Sequence, residues 1–513
     1  MKRIGIVILI LLGVIPPLTA QGQQPSETTW SSPLFLGTGW WQSVTIDQEG
    51  RLHVAWYGGL ELDDGLSHDI LAYTNRAPDG TWTPLNDVIY TGDGGYTVRN
   101  ALAVTSDGIL HTVFRAVTKH QYSRAPARAA DQAGLWQAPL DLNDGGYYID
   151  LTVGEGDVLH LLYSGGLGAI SRGQTINYAE LSPCAFCNDM FYRRSDDGGR
   201  SWSAPYPLSF EAETGSDRMD IFEGQTGNLY AVWDEGYDWY AGRGAALDVR
   251  VAYSLDSGLT WSEPIILDGG GFADRKPIQI AGVELMDGSL MVVWRYSTDF
   301  DRNIYYQITG DLGETWTQPQ PIPGFVTRSI LDTPLDDYEL VIDRLGNVSL
   351  FATGQPNAQA RLNAALYHVQ YRNGNWLAPQ RLFYLREERP EWPKAAVGPD
   401  NTLHLTFFTR GLREDARSLS EDTGFRMYYM NLPGRLPSTA QAFRPTETPR
   451  PTPTIVQDLP PTTTPFPTEQ PITEIVQLTT TDNYASQIVL GGLFAAGLLC
   501  AIILAAVRFI GRK

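Results

Sequence analysis

Four arginines, Arg99, Arg218, Arg275 and Arg389, each stand just upstream of a short alternating apolar–polar run. Aligned by their distance to the run that follows, these segments bring Ser43, Ala101, Asp150, Asp220, Gly282, Glu339 and Lys394 to one shared level. Guanidinium groups grip carboxylates through paired N–H donors. Carboxylic acids held partly out of water can donate or take protons. Arg99, Arg218 and Arg275 are the guanidinium groups, and Asp150, Asp220 and Glu339 the carboxyls, that this alignment gathers, and a ligand site is one reading of them. The plainer alternative is that these charges pair with one another around a solvated channel.

Few other residues offer chemistry. Cys184 and Cys187 form a C-x-x-C pair, read as a two-residue disulfide loop. A haem attachment would need His at position 188, where the chain has Asn, and a zinc half-site finds no further ligands nearby. Asp299-x-Asp301-x-Asn303 matches the start of a calcium loop but lacks its Gly and terminal Glu, and reads as a hairpin connection. The sequon Asn347-Val348-Ser349 falls on an expected strand. No cofactor and no metal is implied. A net charge of −20 disfavours nucleic acid, which needs a basic stripe, and long-range attraction of polyanions.

The elements that would position these groups form a repeat of about sixty residues. Trp followed by Pro recurs seven times: Trp30/Pro33, Trp82/Pro84, Trp136/Pro139, Trp202/Pro205, Trp261/Pro264, Trp316/Pro319 and Trp376/Pro379. A turn leading into an alternating strand, as in EGRLHVAW at 49–56 or DGILHTVF at 107–114, also recurs seven times, and a Tyr-rich strand follows it. Alternation bounded by Gly, Asp and Asn is the pattern of antiparallel strands, and four short strands per unit is that of propeller blades. The expectation is an all-β, seven-bladed β-propeller over residues 28–433. The first W-x-x-P precedes any inner strand, and no W-x-x-P follows the last ones. Thr29–Leu36 is therefore expected to supply the outermost strand of the last blade, beside Met427–Met430, sealing the ring and removing an open edge.

At three turns the repeat sharpens to S/T-x-D-x-G-x-S/T-W: Ser195–Trp202, Ser254–Trp261 and Thr309–Trp316. This resembles the Asp-box of sialidases and related BNR-repeat propellers. The resemblance implies that Asp197, Asp256 and Asp311 are structural, on the face opposite the active site. It also implies a ligand face built from the loops that enter each innermost strand and those that follow each LHVAW-like strand. The latter are long and polar: Gly58–Asp69, Ala116–Arg128, Glu235–Ala246, Ser297–Asn303 and Arg410–Gly424. Two of these carry aromatic and charged residues together, as in DEGYDWYAGR at 234–243, a mixture that suits sugar rings, with a solvated rim as the plainer reading of any one loop. Sialidases use an arginine cluster, a Tyr activated by Glu as nucleophile and an Asp acid/base. Arg99, Arg218 and Arg275, with Asp150, Asp220 or Glu339, are the positions to which those roles would transfer. The chain departs from the pattern in having seven repeats where sialidases have six blades. It also lacks the early Phe/Tyr-Arg-Ile-Pro motif, which Asp274-Arg275-Lys276-Pro277 and Tyr96-Thr97-Val98-Arg99 match only loosely, and it offers no identifiable nucleophilic Tyr.

The two ends speak of address. Lys2 and Arg3, the apolar run Ile4–Val14 and Leu18-Thr19-Ala20 read as a signal peptide over residues 1–20, with a retained anchor as the alternative. Residues 437–481 are Pro/Thr-rich and read as an extended stalk. Residues 488–507 carry no charge and are long enough to span a bilayer, and the basic tail 508–513 places that end in the cytoplasm. The expected protein is a single-pass, membrane-anchored ectodomain that recognises glycan or another surface ligand. A sialidase-type glycoside hydrolase and a structural envelope or adhesion protein are the alternatives.

Overall fold

A computed structural model describes residues 29–434, apart from 62–66, 94–98, 118, 145, 147, 166–188, 210–215, 239–242, 268, 299–300, 330–337, 359, 361–363 and 412–423. The signal segment, the Cys184/Cys187 pair, the stalk and the apolar span lie outside the described residues. The chain divides into two units, Met1–Thr446 and Glu447–Lys513, and the fold described is that of the first.

Seven antiparallel sheets follow one another along the chain. The innermost strands of the first five are Trp40–Ile46, Asn100–Val104, Ile149–Gly154, Ser216–Glu223 and Pro277–Glu284. The sixth sheet shares its inner position between Val326–Thr327 and Tyr338–Ile342, and the seventh begins with Glu388–Val397. Each innermost strand packs against the next, and Glu388–Val397 packs against Trp40–Ile46, so the ring is closed. The outermost strand of the seventh blade is Leu34–Thr38, which pairs antiparallel with Arg426–Leu432, Leu34 opposite Tyr429 and Phe35 opposite Tyr428. Ser31 and Asn431 extend this pairing by two further hydrogen bonds. The expected closure by the chain's beginning is what the register shows.

The recurring residues meet at the boundaries between blades. Histidines on second strands bond tyrosines on third strands, with Nδ1···OH distances of 2.6 Å for His53–Tyr73, 2.7 Å for His111–Tyr122, 2.7 Å for His160–Tyr192 and 2.8 Å for His404–Tyr429. The Trp of the following blade then packs on that tyrosine. Trp136 meets Tyr73, Trp202 meets Tyr122, Trp261 meets Tyr192, and Trp82 meets Tyr429 across the closure. In the three sharpest turns the carboxylate organises the backbone. Asp197 accepts from Ser201 N and Oγ at 2.9 and 2.6 Å, Asp256 from Thr260 at 2.8 and 2.7 Å, and Asp311 from Thr315 at 2.9 and 2.6 Å. Gly258, at φ 80°, lies so close to Tyr192 that a Cβ would overlap its hydroxyl. Only glycine fits both the turn and the neighbouring blade.

Candidate ligand site at the mouth of the central channel

The inner strands do not enter the ring smoothly. Register shifts fall between Trp40 and Ser43, Ile278 and Ala281, and Glu391 and Lys394. Trp41, Gln279 and Trp392 within them have φ of 58°, 56° and 51°. Non-glycine residues pay to adopt such angles, and bulges of this kind re-aim side chains. Each is held from a neighbouring blade. Asn100 Nδ2 donates to Trp41 O at 2.8 Å, Gln42 Nε2 to Trp392 O, and Gln279 N and Ile280 N donate to Asp234 at 2.8 and 3.0 Å.

The bulges bring Trp41 and Trp392 to the mouth, where Tyr148 joins them. Arg99 is packed among the three, its Cζ 3.1 Å from the Trp41 ring centroid, 4.3 Å from Tyr148 and 4.4 Å from Trp392. This is cation–π contact on a desolvated guanidinium, since Arg99 is only 3 % exposed.

Below this collar the axis holds a cavity of about 570 Å³ that includes Arg99, Asp150, Asp220, Glu339 and Lys394 in its lining. Four of the six sequence candidates thus share one site. Arg218 and Arg275 do not line it. Arg218 is buried at 1 % exposure, and the guanidinium of Arg275 stacks on Phe272 at 3.8 Å with Tyr296 at 5.1 Å. The shared level is seen in the pairing of Ser43, Ala101, Asp150, Asp220, Glu339 and Lys394. In the fifth blade the residue at this level is Ala281, opposite Val293, and not Gly282.

Several residues at this level tie one blade to the next. Ser43 Oγ accepts Leu102 N at 3.0 Å, Asp150 Oδ2 accepts Ile221 N at 2.8 Å, and Glu339 Oε1 accepts Ala395 N at 3.2 Å. Glu339 also meets Lys394 Nζ at 2.9 Å. Burial raises the Glu339 carboxyl above the ordinary range, against the pull of Lys394. Asp220 is enclosed by protein yet open to the cavity. Burial first, then the charge of Asp150, pushes its carboxyl well above the usual range.

Sequence reasoning missed Trp41, Tyr148 and Trp392. Their signal was the Trp40-Trp41 doublet and Glu391-Trp392-Pro393, each just upstream of a level residue. It also missed a buried triad nearby, in which Glu391 bonds Arg328 at 2.9 Å and Arg410 at 2.8 Å. The charged start of 234–243 faces inward: Asp234 holds the bulge at Gln279, and Glu235 accepts Ser209 Oγ at 2.7 Å and Trp233 Nε1 at 2.9 Å. Asp301 caps its own turn through Asn303 N at 3.0 Å. Asn347 of the sequon is 8 % exposed and is bonded to Asp343 and Arg372.

The chain matches no protein family and no curated protein. Solved structures do resemble it. An ulvan lyase of a new polysaccharide lyase family, bound to GlcA(1-4)Rha3S, superposes with a TM-score of 0.52 at 13% identity, covering 79% of this chain and 95% of its own. A protein of unknown function from Dyadobacter fermentans gives 0.45 at 11% identity, over 80% of this chain and 100% of that one. A Hadza microbial sialidase gives 0.41 at 15%, over 66% and 71%. At these identities the likeness is one of fold.

Proposed function

We propose that this chain is an exported propeller, tethered through residues 488–507, that binds a glycan at the mouth of its central channel. The three S/T-x-D-x-G-x-S/T-W turns are its Asp-boxes, on the face away from the ligand. Among the described residues no helix is long and apolar enough to cross a membrane, and 488–507 lies outside them. The tether therefore rests on the sequence.

The observation that carries the reading is the cavity itself. Trp41, Tyr148 and Trp392, whose rings pack on Arg99, line it together with carboxylates and Lys394, and its volume of about 570 Å³ suits a small ligand such as a sugar. The named activity of the ulvan lyase, whose fold this chain shares, is consistent with a glycan ligand.

Recognition is favoured over hydrolysis by the floor's geometry. Paired catalytic carboxyls flank a glycosidic bond at separations of roughly 5 to 9.5 Å. Asp150 and Asp220 instead bond each other, and the oxygens of Asp150 and Glu339 accept backbone N–H groups. A second reading, a sialidase-type hydrolase, draws on Asp220, a carboxyl raised well above its usual range by burial within the cavity.

One experiment separates the two. The full chain in detergent is applied to a glycan array and, in parallel, to a fluorogenic sialoside across a pH series. Binding that Trp392→Ala abolishes, without turnover, is the expected result. Turnover that Asp220→Asn removes would establish the hydrolase instead.

A further inference from the structure

We infer that the channel-mouth cavity takes an uncharged sugar and rejects sugars bearing a carboxylate or sulfate. The inference rests on the glycan reading above and specifies the class of ligand.

Its basis is the charge facing the cavity. Among the described lining residues Asp150, Glu223 and Glu284 are acids outside the Glu339–Lys394 pair, Asp220 is raised by burial toward its neutral form, and Arg99 is the one further base. Neither base is placed to welcome an anion. Lys394 lies 2.9 Å from Glu339, so its charge is answered within the protein. The guanidinium of Arg99 lies against three ring faces, with Trp41 at 3.1 Å, and those rings cover it on the cavity's aromatic side. The second candidate for a guanidinium clamp, Arg275, is stacked on Phe272 away from this lining.

The acids are held in place. Asp150 receives Ile221 N, Glu223 receives Glu155 N at 2.8 Å, and Glu284 receives Thr226 N at 2.7 Å. None can swing aside for an incoming anion without giving up a bond that joins two blades or pins a turn. A narrow acidic cavity with protein walls concentrates negative potential, and the chain's net charge of −20 adds to it. An anionic sugar would face like charge on entry. A neutral sugar meets the opposite situation, because its hydroxyls are donors and carboxylates are acceptors.

The test is a matched array of neutral oligosaccharides and the same oligosaccharides capped with sialic acid, glucuronic acid or sulfate, probed with the full chain at low and high salt. Binding should be confined to the neutral members, with each charged cap weakening it roughly tenfold or more and high salt narrowing the gap. Glu339→Gln, which keeps the acceptor for Ala395 N, should narrow it further. Equal binding, or preference for a capped member, would overturn the inference while leaving a glycan ligand in place. Failure of every member to bind would remove the glycan reading itself, a result distinct from either.

Discussion

Acid should unfold this propeller well above the range in which carboxylates titrate, and the His–Tyr pairs set the scale. Of seven histidines in the chain, burial lowers the titration of six, with His111, His160, His368 and His404 brought to about 4 and His120 to about 3. A histidine neutral in the fold but free to protonate when unfolded contributes its full stability above its unfolded value of about 6.5. That contribution is lost as pH falls through the folded value. For His160, falling from 6.5 to about 4, the linked loss by pH 5 is about 2 kcal/mol. The perturbation is His160→Phe with Tyr192→Phe, which removes the 2.7 Å pair without stranding either partner. Urea unfolding at about pH 7.5 and about pH 5 would measure the stability lost between them, expected to be about 2 kcal/mol smaller in the double variant. Equal losses in variant and wild type would refute the assignment of His160 as a buried neutral group.

Three further outcomes follow from the same contacts. Gly258→Ala forces a side chain at φ 80° into the Tyr192 hydroxyl and should cost more than about 2 kcal/mol in urea unfolding. Lys394→Met leaves Glu339 without its 2.9 Å partner and should cost about 2 kcal/mol at pH 8. At pH 5 the cost should shrink, because Glu339, already raised by burial, then takes up a proton. Deleting residues up to Thr38 exposes the edge of Arg426–Leu432, so the remaining chain should lose its sharp thermal transition and self-associate, as light scattering would report.

The blades were legible because their signals are local: strict alternation, a Trp–Pro spacing and the phase of the first repeat, all of which the pairing bears out. The sixth blade, with its doubled inner and outer segments, was not, since Val326–Thr327 carries no pattern of its own. At the site, counting back from each second strand identified Asp150, Asp220, Glu339 and Lys394 correctly as one level. In the fifth blade the same count, nine residues back from Leu290, reaches Ala281 rather than Gly282. Nor could spacing reveal how the charges are spent. The stacking of Arg99 on Trp41 and the bond from Ile221 to Asp150 join residues far apart in sequence. Bulges at Trp41 and Trp392 demand backbone angles that tryptophan rarely adopts, so the aromatic collar is visible only in three dimensions.

The strand that completes the seventh blade is made first and docks last. Leu34 waits for Tyr429, nearly the whole propeller away along the chain, so the ring cannot lock while synthesis is under way. Until then Trp40–Ile46 lacks its neighbour on one flank and Arg426–Leu432 does not yet exist. A truncated product would therefore leave Leu34–Thr38 with no strand to pair with, whereas in a finished one it completes the seventh sheet. Completion of the chain thus doubles as a checkpoint, since only a molecule read through to its last blade can bury the residues it began with.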